Sequence, residues 1–459
     1  MITTTKTREL VRSGGSNVRL MLSSLGADIL AFLIATLAFF FIRIVGQLYI
    51  SEMMLVAFLP IFIILHSKRA FRPRLNLIFG LMGLWLISQV LTDIYRSTRM
   101  QDWMRGDSNI IFFAADLLGL SILLGNNQRR KVIFIAGLAI GSIIGNKFEP
   151  MLDSSADPWK WIYSMGASLA ILLVSCYFYR SRRYFITGLL LAGIAAVNLV
   201  MNFRSPVLIF LVTMVLVLPI VPERIGRLRL LPRAGSVARF AVLAGLALGA
   251  AGAAAGLVHV ATSAGWVSED AQAKNEIQSQ SKGGLVLSGR PELYVSSVAV
   301  WDSPILGHGS WAKDLKYTEM LYDIGGTYGF GRGGNLQAEE DSGLGLIPSH
   351  SHLMGAWVQA GILGAVFWAY ILWLVFKGLV RVLIVQPALT PLYTWLFINL
   401  FWSIPFSPFA NTERVSEALI IVIIVDLLAP SPHAFGALRQ SRRKQWRRTP
   451  FRGSLSPSR

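Results

Sequence analysis

Residues 352–376 read HLMGAWVQAGILGAVFWAYILWLVF, an apolar run without Asp, Glu, Lys or Arg. A helix needs about 20 apolar residues to cross a bilayer, so this run predicts a transmembrane helix. Comparable runs recur on both sides of it. We therefore expect twelve membrane spans, with these bounds: 26–45, 53–66, 75–94, 108–125, 132–146, 160–179, 184–202, 205–221, 239–262, 352–376, 391–409 and 414–429.

The composition of the whole chain agrees with this pattern. Its 459 residues are 54% hydrophobic and 15% charged, with a mean hydropathy of +0.54. Soluble domains carry about 25% charged residues, so the composition excludes an ordinary soluble enzyme. The single cysteine, Cys176, excludes a disulfide scaffold. The fold class predicted is an all-α polytopic membrane protein.

Lys and Arg concentrate in every second connection, for example in residues 68–74, 129–131, 180–183 and 224–239. Cytoplasmic loops carry such an excess, which predicts a multi-pass protein of the cytoplasmic (inner) membrane with both termini cytoplasmic. The net charge of +18 is then a topology signal and a means of contact with membrane lipids. A nucleic-acid partner is not expected, because the basic tail has little aromatic interleaving.

These features divide the chain into five segments. Residues 1–25 are expected to be a cytoplasmic N-terminal segment, 26–262 to hold transmembrane helices 1–9, and 352–429 to hold helices 10–12. Residues 430–459 form a basic cytoplasmic tail. Residues 263–351 form one large outer (periplasmic or extracytoplasmic) loop before helix 10, with short helices such as an amphipathic one over 291–302. A loop of this length is usually functional or disordered.

Polar residues near the outer ends of spans are the candidates for function, because charge at membrane depth is costly. The supporting candidates are Arg43, Gln89 and Asp93, of which Asp93 could pair with Arg43, Arg96 or Arg204. Arg204 either snorkels to the interface or binds a phosphate through a bidentate fork. Arg290 is either a solvated loop arginine or a second such ligand. Asp116 is an intramembrane acid that we interpret as a residue of the bundle interior.

His350 and His352 begin the tenth span. Such histidines cap helices or lie at interfaces, yet an imidazole with a pKa near 6.5 also suits a general base. We expect no metal site, because the sequence shows no cysteine cluster, no HExxH motif and no third ligand at a diagnostic spacing.

Three stretches together resemble the O-antigen ligase and O-antigen polymerase family of lipid-linked glycan transferases. The first runs from Pro348 to Gly364 and contains a histidine, an apolar helix and then Gly-x-x-Gly. The second pairs Ser288-Gly289-Arg290 with Pro304-Ile305-Leu306-Gly307-His308-Gly309. The third is Asn202-Phe203-Arg204-Ser205-Pro206, similar to an arginine turn that opens a span. The matched region covers roughly residues 200–365.

The resemblance implies an enzyme that moves or polymerises a glycan carried on a polyprenyl diphosphate. A hydroxyl of a glycan or glycolipid acceptor would attack the anomeric carbon at the outer face of the membrane. His350 or His352 would act as the base, and Arg204 and Arg290 would stabilise the diphosphate that leaves. A single displacement of this kind inverts the sugar carbon. The family resemblance implies a metal-independent glycosyltransferase without a cofactor.

The residues alone leave alternatives open. Ligase and polymerase share fold and motifs and differ in the acceptor. A transporter or flippase for lipid-linked sugars would place its polar groups near the bilayer midplane, for example around Asp116. A third hypothesis is a structural membrane protein whose long loop binds a partner. In that case His350, Arg204 and Arg290 should each tolerate substitution by alanine.

Overall fold

The computed structural model describes residues 24–43, 47–70, 73–148, 157–218, 290–328, 345–409 and 413–429, with scattered positions between 242 and 272. The helices within these ranges are α1 (Ser24–Phe39), α2 (Ile50–Ala70), α3 (Pro73–Arg96), α4 (Met100–Leu124), α5 (Gln128–Phe148), α6 (Trp159–Arg180), α7 (Tyr184–Val200), α8 (Arg204–Val217), α9 (Pro291–Asp302), α10 (Leu315–Tyr328), α11 (His352–Ala360), α12 (Ile362–Val385), α13 (Thr390–Phe406) and α14 (Arg414–Leu428). Most of the described residues are thus helical.

Five of these helices are long and apolar enough to cross a membrane: α3, α4, α5, α6 and α12. The helices α1, α2, α7 and α8 are also apolar, but their apolar stretches are no longer than 17 residues. The predicted ninth span lies mostly outside the described residues, although the positions described between 242 and 261 are helical. The predicted tail, 430–459, and nearly all of the predicted N-terminal segment, 1–25, lie outside them as well.

The predicted first span is shorter than expected and is followed by strands. α1 ends at Phe39, and the strands β1 (Phe41–Arg43) and β2 (Gln47–Tyr49) form an antiparallel hairpin before α2. The chain here is rich in aromatic and β-branched residues, which favour strands. The expectation of an all-α chain is therefore wrong for these few residues, and Arg43 belongs to a strand that pairs it with Gln47.

The predicted tenth span is two helices rather than one. Gly361 separates α11 from α12 with φ +70° and ψ −159°, a conformation that is essentially restricted to glycine. A Cβ atom at Gly361 would lie 1.8 Å from the carbonyl oxygen of Ile305. The long helix α12 therefore begins only at Ile362. His352 is the first residue of the short helix α11, and His350 lies two residues before it.

The helix α12 packs against four other helices, α3, α11, α13 and α14. Its fully buried Phe367 and Trp368 stack with Trp85 of α3 and Phe113 of α4. Aromatic groups bury large areas, so this cluster fixes the relative positions of the three long helices.

The bundle has two distinguishable ends. At the basic end, Arg130 pairs with Asp28 and Lys131 pairs with Asp426, near the last turn of α14. At the opposite end, which we call the site end, α3 and α13 finish while α4, α11 and α14 begin. The helices α9 and α10 also lie there, because Val295, Tyr317 and Leu321 share a small core with Val358 of α11.

Candidate functional site at one end of the bundle

The last turns of α3 bind the loop that follows α9. The carboxylate of Asp93 accepts hydrogen bonds from the backbone N–H of Ser310 at 2.6 Å and from its hydroxyl at 2.5 Å. Gln89 donates to the same hydroxyl at 2.8 Å. Asp93 and Gln89 are both buried. The sequence left a pairing of Asp93 with Arg43, Arg96 or Arg204 open, whereas the structure shows hydrogen bonds from the loop to Asp93. Two of the three predicted supporting residues, Asp93 and Gln89, thus hold that loop in place.

The same loop is hydrogen-bonded to the end of α11. The N–H groups of His308 and Gly309 donate to the carbonyls of Val358 and Gln359 at 2.7 and 3.0 Å. Gly309 has φ +95°, and a Cβ there would lie 2.6 Å from the hydroxyl of Thr98. The glycines of the Gly307-His308-Gly309 stretch therefore permit the close approach of loop, α3 and α11.

A cavity of about 500 Å³ lies between this loop, α3, α4, α9 and α11. His350, Gln89, Glu292 and Gln359 contribute polar groups to its wall, beside the rings of Trp85 and Trp311. The Nδ1 atom of His350 lies 3.9 Å from Oε1 of Glu292, and the His350 side chain is 43% exposed. Glu292 is buried. A half-exposed imidazole beside a buried carboxylate can accept a proton from a group bound in the cavity.

His352 has a different environment from His350. Its ring is buried and lies against Trp368 and Phe409, with centroid separations of 4.7 and 5.4 Å. Nδ1 lies 2.7 Å from the carbonyl oxygen of Ser407, while Nε2 contacts Oε1 of Glu417 and lies 3.9 Å from Oε2 of Glu413. The two predicted histidines thus border the same cavity, but only His350 has an exposed ring.

A second cavity, of about 290 Å³, lies on the other side of the Glu413–Glu417 turn. Phe203 and Pro206, which flank Arg204, line it together with Lys160, Glu413 and Glu417. Arg204 begins α8, is partly exposed, and donates from Nε to the side-chain oxygen of Asn202 at 3.3 Å. The contact between His352 and Glu417 therefore joins the walls of the two cavities.

The two remaining predicted residues lie at element boundaries. Arg290 immediately precedes α9, two residues before Glu292, and is partly exposed. Arg43 is exposed in the hairpin, with its guanidinium 5.4 Å from the ring centre of Phe41. Of the predicted residues, His350, His352 and Gln89 line the larger cavity, and Asp93 holds its loop. Arg204 lies in sequence between Phe203 and Pro206, which line the smaller cavity.

Sequence reasoning missed the carboxylates Glu292, Glu413 and Glu417. Glu417 reaches His352 across 65 residues of sequence, so no spacing rule connects the two. The sequence does contain a pattern that indicates part of this site. Glu413 and Glu417 are four residues apart at the start of a span, and that spacing places both on one helix face. It also missed Arg414, whose buried guanidinium donates to both carboxylate oxygens of Glu52 and to Asn109.

No protein-family model matches this chain, and no curated protein matches it in sequence.

Proposed function

We propose that this protein is a membrane glycosyl-group transferase. It transfers or polymerises a glycan from a polyprenyl-diphosphate carrier onto an acceptor hydroxyl at the outer face of the cytoplasmic membrane. The observation that carries the proposal is the cavity at the site end, where the half-exposed His350 lies 3.9 Å from the buried Glu292. The order of the three motifs that resemble the O-antigen ligase and polymerase family supports the same function.

His350 is the base of the proposed reaction. Its exposed ring can reach an acceptor bound in the cavity, whereas the ring of His352 is enclosed by Trp368 and Phe409. A neighbouring carboxylate favours the protonated imidazole, so Glu292 would stabilise His350 after it takes the hydroxyl proton. This arrangement favours His350 over His352, between which the sequence did not choose.

Arg290 and Arg204 are the proposed diphosphate ligands. Arg290 precedes Glu292 by two residues and thus lies near the cavity that contains His350. Arg204 belongs to the turn at the smaller cavity, whose wall is mostly apolar and could receive a polyprenyl chain. A guanidinium binds a phosphate through two parallel N–H donors, which a lysine cannot reproduce.

Both termini would be cytoplasmic, and the chain would cross the membrane twelve times.

Transport of a lipid-linked sugar is the second candidate, and one observation favours it. Asp116 of α4 is fully buried, and neither of its carboxylate oxygens has a hydrogen-bond partner within the described part of the chain. Buried acids within membrane helices are typical of ion and proton pathways. Under this alternative, Asp116→Asn would abolish function while His350→Ala would not.

The test is glycan transfer in membranes supplied with a polyprenyl-diphosphate oligosaccharide. We expect the wild type to extend or transfer the glycan. His350→Ala should lower the rate of product formation by at least about 100-fold, which is the lower end of the range for loss of a positioned base. Arg290→Lys should also lower product. His433→Ala in the predicted tail and Arg129→Lys at the basic end are matched controls that should retain the wild-type rate. Equal rates for His350→Ala and His433→Ala would refute the assignment of the base.

The size distribution of the product separates the two transferase types. A ladder of repeat units indicates a polymerase, and one product on a different acceptor lipid indicates a ligase.

A further inference from the structure

Three side chains that commonly bind metals meet between the two cavities. They are His352, at the start of α11, and Glu413 and Glu417, at the start of α14. One ligand atom from each lies within 4.8 Å of the other two. Ligand atoms around a tetrahedral Zn²⁺ are separated by about 3.4 Å, given metal–ligand distances near 2.1 Å. To enclose an ion, side-chain rotations would have to move Nε2 of His352 and Oε1 of Glu417 apart and bring Oε2 of Glu413 closer.

The hydrogen bond of the other ring nitrogen shows which atom of His352 is available. The carbonyl oxygen of Ser407, 2.7 Å from Nδ1, can only accept, so Nδ1 carries a hydrogen. In a neutral imidazole the lone pair is then on Nε2, which points at the carboxylates of Glu417 and Glu413. Three acceptors facing one another need a cation or a proton between them. Donation from the second nitrogen to a backbone carbonyl is also the usual arrangement of a metal-binding histidine.

A proton on Nε2 would satisfy only part of this cluster. It would serve the contact with Oε1 of Glu417 but would leave Oε2 of Glu417 and Oε2 of Glu413 without partners. Both of these atoms are buried and have no hydrogen-bond partner among the described residues. The side chain of Glu417 is only 5% exposed, so bulk solvent has little access to it. A divalent cation would attract both carboxylates at once.

We propose that His352, Glu413 and Glu417 bind one divalent metal ion of the Zn²⁺ type. Three protein ligands and one open position are typical of zinc sites that also bind a small molecule. The open position would face the smaller cavity, because Glu413 and Glu417 are part of its wall. The ion would also connect α11 to α14. This site lies outside the proposed transfer step and does not depend on it.

The experiment measures Zn²⁺ binding to the full-length protein in detergent, after treatment with a chelator and without any glycan. Competition with a chromophoric chelator gives the stoichiometry and the affinity. We expect one Zn²⁺ per chain in the wild type. His352→Gln, Glu417→Gln and Glu413→Gln should each lower the affinity by more than about 10-fold, the loss that removal of even an outer-shell partner causes. Zn²⁺ should raise the melting temperature of the wild type but not of these variants.

His350→Gln is the matched control, because His350 also lies beside a glutamate and is only two positions from His352 in the sequence. It should bind Zn²⁺ as the wild type does. The absence of stoichiometric Zn²⁺ in the wild type, or an equal loss with His350→Gln, would overturn the proposal. If Glu417→Gln does not fold, Glu413→Gln still decides, because the Glu413 side chain is 40% exposed. Since no glycan is present, this result is independent of the transfer assay.

Discussion

Substitution of Gly361 by alanine would disturb the junction on which the site end depends. Gly361 separates α11 from α12 and has φ +70°, where an L-residue is strained. The new Cβ would lie 1.8 Å from the carbonyl oxygen of Ile305 and 2.4 Å from the carbonyl carbon of that residue. These are backbone atoms, so no side-chain rotation relieves the overlap. The loop after α9 must move away from α11 and α12.

The expected loss of stability follows from two contributions. The unfavourable backbone conformation costs about 1–3 kcal/mol. Displacement of the loop also breaks the hydrogen bonds from His308 to Val358 and from Gly309 to Gln359, which are 2.7 and 3.0 Å long. Each contributes about 1 kcal/mol. We therefore expect Gly361→Ala to lower the free energy of unfolding by about 3–5 kcal/mol.

The assay compares Gly361→Ala with Gly83→Ala in detergent. A Cβ at Gly83, within α3, would have no neighbour within 4 Å, and alanine is the better helix former. Gly83→Ala should retain or raise the melting temperature, whereas Gly361→Ala should lower it and expose residues 303–310 to protease. Equal melting temperatures and equal protease patterns for the two variants would refute the role given to the junction.

Three further predictions concern single contacts. Asp93→Ala should lower stability by about 3 kcal/mol, because it removes two charge-assisted bonds and leaves the buried N–H of Ser310 unpaired; an unchanged melting temperature would contradict this. Lys131→Ala should cost about 3–5 kcal/mol because it removes one partner of the buried ion pair with Asp426, and Lys131→Met combined with Asp426→Leu should restore most of it. Hydrogen bonds from Lys316 and Tyr317 of α10 hold the pKa of Asp302 below its usual value. The contribution of these contacts to stability is therefore present above about pH 4 and is lost as the pH falls through the lowered pKa. Protease sensitivity of the wild type should therefore rise below about pH 4, whereas that of Asp302→Asn should already be high at pH 7 and change little.

The sequence was informative where apolar length alone determines the structure. The runs at 75–94, 108–125, 132–146 and 160–179 fall within α3, α4, α5 and α6 nearly as predicted. A helix satisfies its own backbone hydrogen bonds, so a sufficiently long apolar segment specifies it without knowledge of its neighbours. The hairpin after Phe39 and the break at Gly361 were not predicted, because both depend on local backbone conformation within a stretch that is apolar throughout.

The candidate site was only partly predictable for a related reason. His350, Gln89 and Asp93 were identified from polarity near span ends, and the structure places all three at the site end. The sequence could not distinguish His350 from His352, because exposure depends on how Trp368 and Phe409 enclose one ring and not the other. Glu292, Glu413 and Glu417 join the site through tertiary contacts between distant helices.

Cysteine labelling shows on which side of the membrane the site end lies, and we propose that it lies on the outer side. Ser297 on α9 and Ser181 after α6 are both exposed, at the site end and at the basic end respectively. Each is replaced by cysteine in a chain carrying Cys176→Ala and treated in spheroplasts with a membrane-impermeant sulfonated maleimide. We expect labelling of Ser297→Cys in intact spheroplasts and of Ser181→Cys only after lysis. The reverse pattern would place His350 on the cytoplasmic side and contradict both the topology and the transferase mechanism.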